Sequence, residues 1–208
     1  MKTQLIRSLT LASSFLLASA AFGQVVITDP NDSNILPSLQ SIGSGCAEDS
    51  GASAHWEGAT LVVNFSDMVA EKGQGISLTE SRKTCSLTLD LKLPKGLSYA
   101  LATYSAEGYD ALADKDTRNF TVTNFFQGDG ETASSSLEAK GPLSKSFRSR
   151  HWNSQDELLW SPCGESRAQT ITAALRVANG GDRAAESVSG LDSLRLTFRI
   201  KQCAPVLR

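Results

Sequence analysis

The sequence predicts an all-β fold: an antiparallel two-sheet sandwich, Greek-key or jelly-roll in its connections, of about eight strands. Three observations predict it. Apolar and polar residues alternate over many short runs, which gives each strand one buried and one wet face. Gly, Pro, Asn and Asp punctuate the intervals between runs. No long stretch repeats at the helical period, and at most one turn of helix fits near residues 77–83.

The elements follow in chain order. Residues 24–45 are rich in Pro, Asn, Asp, Ser and Gly and read as an extended, partly mobile arm. From residue 59, Leu61, Val63 and Phe65 share one strand face. The clearest strand sets Cys85, Leu87, Leu89, Leu91 and Leu93 against Ser86, Thr88, Asp90 and Lys92. Pro94-Lys95-Gly96 then turns the chain, and Leu97, Tyr99 and Leu101 line the next strand. Asn119 to Phe126 is rich in aromatic and β-branched residues. After the turn at Gly128-Asp129-Gly130, residues 131–139 return as a polar strand, and Ser144 to Trp152 reads as an edge strand. Ile171, Ala173, Leu175 and Val177 form one face of residues 168–178. Leu194, Leu196, Phe198 and Ile200 line the last strand. No internal repeat is visible.

The N-terminus carries a leader. Lys2 and Arg7 precede an apolar run from Leu9 to Leu17, and Ala21-Phe22-Gly23 is a small-x-small cleavage triplet. Residues 1–23 are therefore expected to be a signal peptide, 24–45 the arm and 46–208 a single domain. The apolar run is shorter than the ~20 residues that a bilayer core requires, so no transmembrane segment is expected. The chain should be secreted and extracellular, or periplasmic or surface-held in a bacterial host. Its formal net charge is −2, and loss of Lys2 and Arg7 with the leader makes it −4. A general nucleic-acid binder needs a basic footprint, so nucleic acid is not an expected partner.

The four cysteines, Cys46, Cys85, Cys163 and Cys203, all follow the leader. An even count in an exported chain implies two disulfides. No two lie close enough for a C-x2-C metal pair, so neither a metal nor a cofactor is expected. Cys163 and Cys203 bracket the 179–190 loop almost symmetrically and would close a terminal hairpin. Cys46 would then take Cys85 and tie the arm to the core. Same-face partners on the two terminal strands sum to an odd number and the cysteine pair to an even one, so a bulge or the break at Pro162 must shift the register or the strands are not direct neighbours. Four cysteines allow three connectivities, and this one is a preference. On this layout, losing Cys203 frees the last strand and costs more than losing Cys46.

Several segments together resemble a known family. They are GSGC at 43–46, SRKTCSLTLDLKLPKG at 81–96, FFQG at 125–128, WSPCG at 160–164 and the terminal Cys203. In order and spacing this set resembles the DUF4360 family of small secreted proteins of fungi and bacteria, across nearly the whole mature chain. The family usually continues with proline after the first cysteine, where this chain has Ala47-Glu48-Asp49. The resemblance implies secretion and a shared cysteine framework. It implies no activity, since the family has no assigned function.

Candidate chemistry is sparse, and no residue is assigned a catalytic role. Asp67, Asp90, Glu107 and Asp110 are the carboxylates that could pair across a cleft for glycoside hydrolysis. His55 and His151 stand beside Trp56 and Trp152, and no G-x-S-x-G or H-E-x-x-H motif accompanies them, so they read as half-buried aromatic corners. Asp110, Asp114 and Asp116 resemble a calcium loop, but Lys115 interrupts them and the spacing fits no EF-hand. Arg82-Lys83 is read as a salt bridge or hydrogen bond beside a crosslink. Trp160 is expected to pack on the Cys163 disulfide. Asn31, Asn64 and Asn119 begin glycosylation sequons.

One basic, aromatic segment remains: Lys140, Lys145, Phe147, Arg148, Arg150, His151 and Trp152. Such interleaving holds anionic polysaccharide or phosphate. It also suits an edge strand whose outward charges prevent aggregation. Arg148, Arg150 and Trp152 are the candidate ligand-binding residues. The function expected is a non-catalytic extracellular module that binds polysaccharide or a partner protein. A carbohydrate-active hydrolase and a structural surface protein without a small ligand are the alternatives. A cleft with convergent carboxylates would favour the enzyme, and a flat sheet face with exposed aromatics the binder.

Overall fold

The computed structural model describes residues 38–47 and 52–203. The leader, the arm before Ser38, the Asn31 sequon and Glu48-Asp49 lie outside the described residues. The described chain forms β1 (Ser38–Ile42), β2 (Ala52–Glu57), β3 (Thr60–Phe65), β4 (Val69–Lys72), β5 (Arg82–Asp90) and β6 (Leu97–Leu112). It continues with β7 (Thr117–Phe126), β8 (Ala133–Lys140), β9 (Leu143–Trp152), β10 (Gln169–Ala178) and β11 (Ser187–Gln202). Two antiparallel sheets result. One has the order β1-β5-β10-β7-β8; the other has β2-β3-β11-β6-β9, with β4 pairing the remaining length of β11.

The expected sandwich is present, with eleven strands in place of about eight. The three additional strands are β1, β2 and β4. β1 arises within the Pro- and Asn-rich segment and pairs with β5 at the edge of its sheet. β2 and β4 are short, and most residues of β2 are exposed, so neither shows a full period of alternation. The expected helical turn near 77–83 is a series of turns, with Glu80 N donating to Ser77 O and Ser81 N to Leu78 O. A short 3-10 helix lies instead at Gln155–Glu157.

Period-two side chains fill the core. Leu87, Leu89, Phe120, Val122, Ile171 and Leu175 come from one sheet. Leu61, Val63, Leu101, Tyr104, Leu194 and Leu196 meet them from the other. β6 is buried on both faces at its start because residues 153–162 fold over it. Asn153 Nδ2 donates to Leu101 O, and Ser161 Oγ accepts from Tyr99 N. Leu158 and Trp160 cover Ala100 and Ala102.

β10 and β11 do not form a hairpin. Each is central in a different sheet, and the loop between them crosses the sandwich. Because the two strands are not neighbours, their apolar register never has to match the cysteine pair, and each turns its apolar face to the core from its own sheet. Cys46 pairs with Cys85 and Cys163 with Cys203. The first disulfide is fully buried, whereas Cys163 is exposed. β11 is paired with β3, β4 and β6, so hydrogen bonds as well as Cys203 hold it in place. On burial alone the larger cost is expected at the Cys46–Cys85 pair, the opposite of the order expected from the hairpin layout. Trp160 likewise does not form a buried aromatic–disulfide core. It packs on the outer face of β6, with Lys201 Nζ 4.0 Å from its ring centroid.

Candidate functional site

Three polar assemblies lie on or between β6 and its neighbours, and they differ in what they leave unsatisfied. The first is closed. Arg118 Nη2 and Nε donate to Asp110 Oδ2 and Oδ1 at 3.0 and 3.3 Å, and Nη1 donates to Leu137 O at 2.9 Å. Ser189 Oγ donates to Asp110 Oδ1 at 2.6 Å. Phe147 lies beneath the guanidinium, 4.4 Å from centroid to Cζ. Glycine at 108 makes this possible, because a Cβ there would sit 2.0 Å from Gly190 O and about 3 Å from the Phe147 ring. Beside it, Asp116 takes Lys72 Nζ at 2.7 Å, Ser187 Oγ at 2.6 Å and Gly180 N at 2.9 Å. Burial alone would raise the Asp116 pKa, but these donors outweigh it and hold the carboxyl below its ordinary range.

The three aspartates considered as a calcium loop do not converge on one site. Asp110 and Asp116 are each buried against a cation of their own, and Asp114 is exposed beside Lys115. Among the described residues no group of three or more His, Cys, Asp or Glu side chains is placed to hold a metal ion. The four carboxylates considered for hydrolysis are dispersed too. Glu107 pairs with Arg148, Asp110 is buried with Arg118, Asp90 accepts from Ser166 Oγ at 2.7 Å, and Asp67 is exposed on a separate loop. Lys83 pairs with Glu80 at 2.6 Å beside the buried disulfide.

The second assembly is the outer face of the six-stranded sheet. Strand pairing aligns its side chains in rows that cross the sheet. One row runs Glu57, Thr60, Thr197, Thr103, Trp152. The next runs His55, Val62, Arg195, Ser105, Arg150. A third ends in Glu107 and Arg148, followed by Tyr109 opposite Ser146. Arg148 holds Glu107 through both Nε, at 2.9 Å, and Nη2, at 3.1 Å. Arg195 pairs with Glu57, and that contact lowers the Glu57 pKa and raises that of Arg195. Trp152 is 63% exposed and Tyr109 42% exposed. The Arg150 guanidinium lies 5.5 Å from the Trp152 centroid.

The basic segment is thus divided by the pleat. Arg148, Arg150 and Trp152 face outward together. Phe147 turns inward to Arg118, and His151 turns inward to stack on Tyr104 at 5.1 Å and 25°. Arg195, Glu57 and Tyr109 join the outer face from strands distant in sequence. Alternation along 187–202 marks Arg195 as outward, but only the strand register places it beside Ser105 and Arg150.

The third assembly is a cleft of about 280 Å³ where the facing edges of β8 and β9 diverge. Its apolar floor is Leu101, Tyr104, Val122 and Leu159. Asn124, His151, Asn153, Asp156 and Glu157 supply polar groups. Tyr104 Oη bonds Ser135 Oγ at 2.6 Å, and burial raises the phenol pKa. Glu157 is committed to Ser154, accepting from its N at 3.0 Å and Oγ at 2.9 Å, and these bonds lower its pKa. A general acid needs the opposite shift.

The model of a domain of unknown function, DUF4360, matches residues 33–203 of the chain. An uncharacterised secreted protein of Arthroderma benhamiae is 29% identical over 139 residues, which is 67% of this chain and 56% of that protein. This chain therefore spans little more than half the length of that relative. Among solved structures, TmCBM61 in complex with β-1,4-galactotriose is 13% identical with a TM-score of 0.26, covering 79% of this chain and 88% of that one. The family 11 carbohydrate-binding module of Clostridium thermocellum, in complex with a mixed-linked tetrasaccharide, is 13% identical with a TM-score of 0.25. It covers 83% of this chain and 94% of its own. Scores this low carry no inference about ligand.

Proposed function

The chain belongs to the DUF4360 family, and from that premise we propose that this secreted, disulfide-linked sandwich is a non-catalytic module that binds an extracellular polysaccharide on the outer face of its six-stranded sheet. The observation that carries this reading is Trp152. A large aromatic ring left 63% exposed at the end of an ordered edge strand contributes nothing to the core. Its flat surface matches the apolar face of a pyranose, and Arg150 restricts its orientation.

The surrounding groups support a sugar polymer. Arg148–Glu107 and Arg195–Glu57 are exposed pairs whose donors and acceptors can be redirected to hydroxyls at little cost, because such pairs are weak in water. Thr60, Thr103 and Thr197 fill the row between Glu57 and Trp152 with small polar side chains, which leaves a flat track for an extended chain. The two carboxylates of this face, Glu57 and Glu107, are each held by an arginine.

The test is retention on immobilised polysaccharides, neutral and acidic, at low salt. Wild type should be retarded on at least one of them. Arg148→Ala/Arg150→Ala should elute earlier. On an acidic polymer the difference should shrink as salt rises, since exposed charges are screened over about 10 Å at 0.1 M. Equal retention of wild type and the double variant at low salt would leave those arginines as edge protection only.

A further inference from the structure

The cleft between β8 and β9 is separate from the sheet face. His151 enters it from the inner side of β9, while its neighbour Trp152 points to the outer face. Three features of the cleft are unspent. The first is hydrogen bonding. Asn124 is almost fully buried, and its Oδ1 accepts from Gln169 Nε2 at 3.1 Å. Its amide nitrogen has no partner among the described residues. Asn153 donates to Leu101 O through Nδ2, and its Oδ1 has no hydrogen bond among the described residues. The His151 ring stacks on Tyr104 and makes no hydrogen bond among the described residues.

The second feature lies behind the lining. Among the described residues, two buried side-chain oxygens lack a partner: Ser149 Oγ and Gln169 Oε1. Neither lines the cleft, but each neighbours a residue that does. Ser149 shares the inner face of β9 with His151, and Gln169 is bonded to Asn124. Buried polar atoms are normally satisfied, so one such atom beside His151 and one beside Asn124 leave the network behind the lining unclosed on both sheets.

The third feature is charge and size. Asp156 and Glu157 stand at the cleft, and no Lys or Arg lines it. Anions are therefore disfavoured. The volume, about 280 Å³, lies just below the ~300–1,000 Å³ typical of drug-sized ligands. The floor combines a stacked Tyr–His pair with aliphatic side chains, and the polar groups offer both donors and acceptors.

We propose that this cleft binds a single neutral pyranose ring. The apolar floor takes one face of the sugar. Asn124 donates to a hydroxyl, and Asn153 and Asp156 accept from hydroxyls. The proposal does not depend on polymer binding at the sheet face.

The test is a titration of the intact secreted protein with the methyl glycosides of glucose, galactose, mannose and N-acetylglucosamine, followed by side-chain amide NMR. Methyl glucuronide serves as the anionic comparison. At least one neutral glycoside should saturate in the millimolar range and shift the Asn124 and Asn153 amide signals. Methyl glucuronide should bind about tenfold more weakly, because a carboxylate would face Asp156 and Glu157. Asp156→Ala, an exposed change that should leave the melting curve unaltered, should weaken binding several-fold. Saturation by none of the four overturns the proposal. So does binding that shifts only the Trp152 indole, affinity unchanged in Asp156→Ala, or equal affinity for the glucuronide. Retention on polysaccharide reports the sheet face separately, so failure of one reading is distinguishable from failure of the other.

Discussion

Two arginine–carboxylate pairs branch from the same stretch of β6. Glu107 and Asp110 are three residues apart, and the pleat sends them to opposite faces. Asp110–Arg118 is enclosed, with side chains 2% and 5% exposed. Glu107–Arg148 is open, at 36% and 76%. The covalent chemistry is the same and the geometry is bidentate in both. The buried pair cannot exchange partners, because each charge would be stranded without water. The open pair exchanges with solvent at little cost and is therefore available to a ligand. Placement by strand parity, rather than residue type, separates the structural arginine from the candidate binding arginine.

Breaking the enclosed pair should have the largest effect. Arg118→Ala leaves Asp110 charged, buried and short of donors, and should cost about 3–5 kcal/mol in denaturant unfolding. The double change Asp110→Leu/Arg118→Met removes both charges and should cost clearly less than the single one. A double variant as unstable as Arg118→Ala would mean that packing, not the stranded charge, sets the loss.

The disulfides repeat the contrast between buried and exposed. They close loops of nearly equal length, with separations of 39 and 40 residues. In the chain-entropy model each then contributes about 3–4 kcal/mol. The difference should come from burial. Cys46→Ala removes a sulfur from a fully buried site, whereas Cys203→Ala breaks a link whose partner is exposed. Cys46→Ala should therefore melt at the lower temperature. The reverse order would show that the C-terminal end of β11 depends on its crosslink after all.

Acid should act on the enclosed assembly next. The Asp116 pKa is lowered in the folded state relative to about 3.9 in the unfolded chain. The folded protein binds fewer protons, so this contribution is complete above about pH 5 and is lost as pH falls through the folded pKa. Asp116→Asn should be less stable than wild type at neutral pH, and the gap should narrow below about pH 4. A gap that is constant with pH would remove the charge from the explanation. The open pair gives the smallest effect: Glu107→Gln should change unfolding free energy by about 0–1 kcal/mol.

Much of the fold is legible in the sequence because alternation records burial directly. Leu87, Leu89 and Leu91 on one side, with Ser86, Thr88 and Asp90 on the other, leave little freedom for β5. The second half of β6 is hidden because its inward residues are Ala106, Gly108 and Asp110, which carry no apolar signal. Their smallness and charge make sense only beside Phe147 and Arg118. β10 and β11 read as a hairpin from proximity but lie in different sheets, one of the ways the mismatch between their apolar register and the cysteine pair could be resolved. In the candidate site, Arg148, Arg150 and Trp152 are legible as one strand's outward residues. Arg195 and Glu57 are not, since their place depends on registers across β2, β3, β11 and β6. The cleft is invisible in sequence because its residues come from β6, β7, β8, β9 and the segment after β9.

The measurement that tests the account most directly is affinity electrophoresis of wild type, Trp152→Ala and Thr172→Ala through gels containing a panel of polysaccharides. Thr172 lies on the outer face of the other sheet, where its hydroxyl bonds Ser86 at 2.9 Å, so Thr172→Ala should migrate as wild type does. Wild type should be retarded in at least one gel, and Trp152→Ala should lose roughly tenfold in apparent affinity there. Retardation undiminished in Trp152→Ala, or equal loss in Thr172→Ala, would contradict the assignment of the binding face.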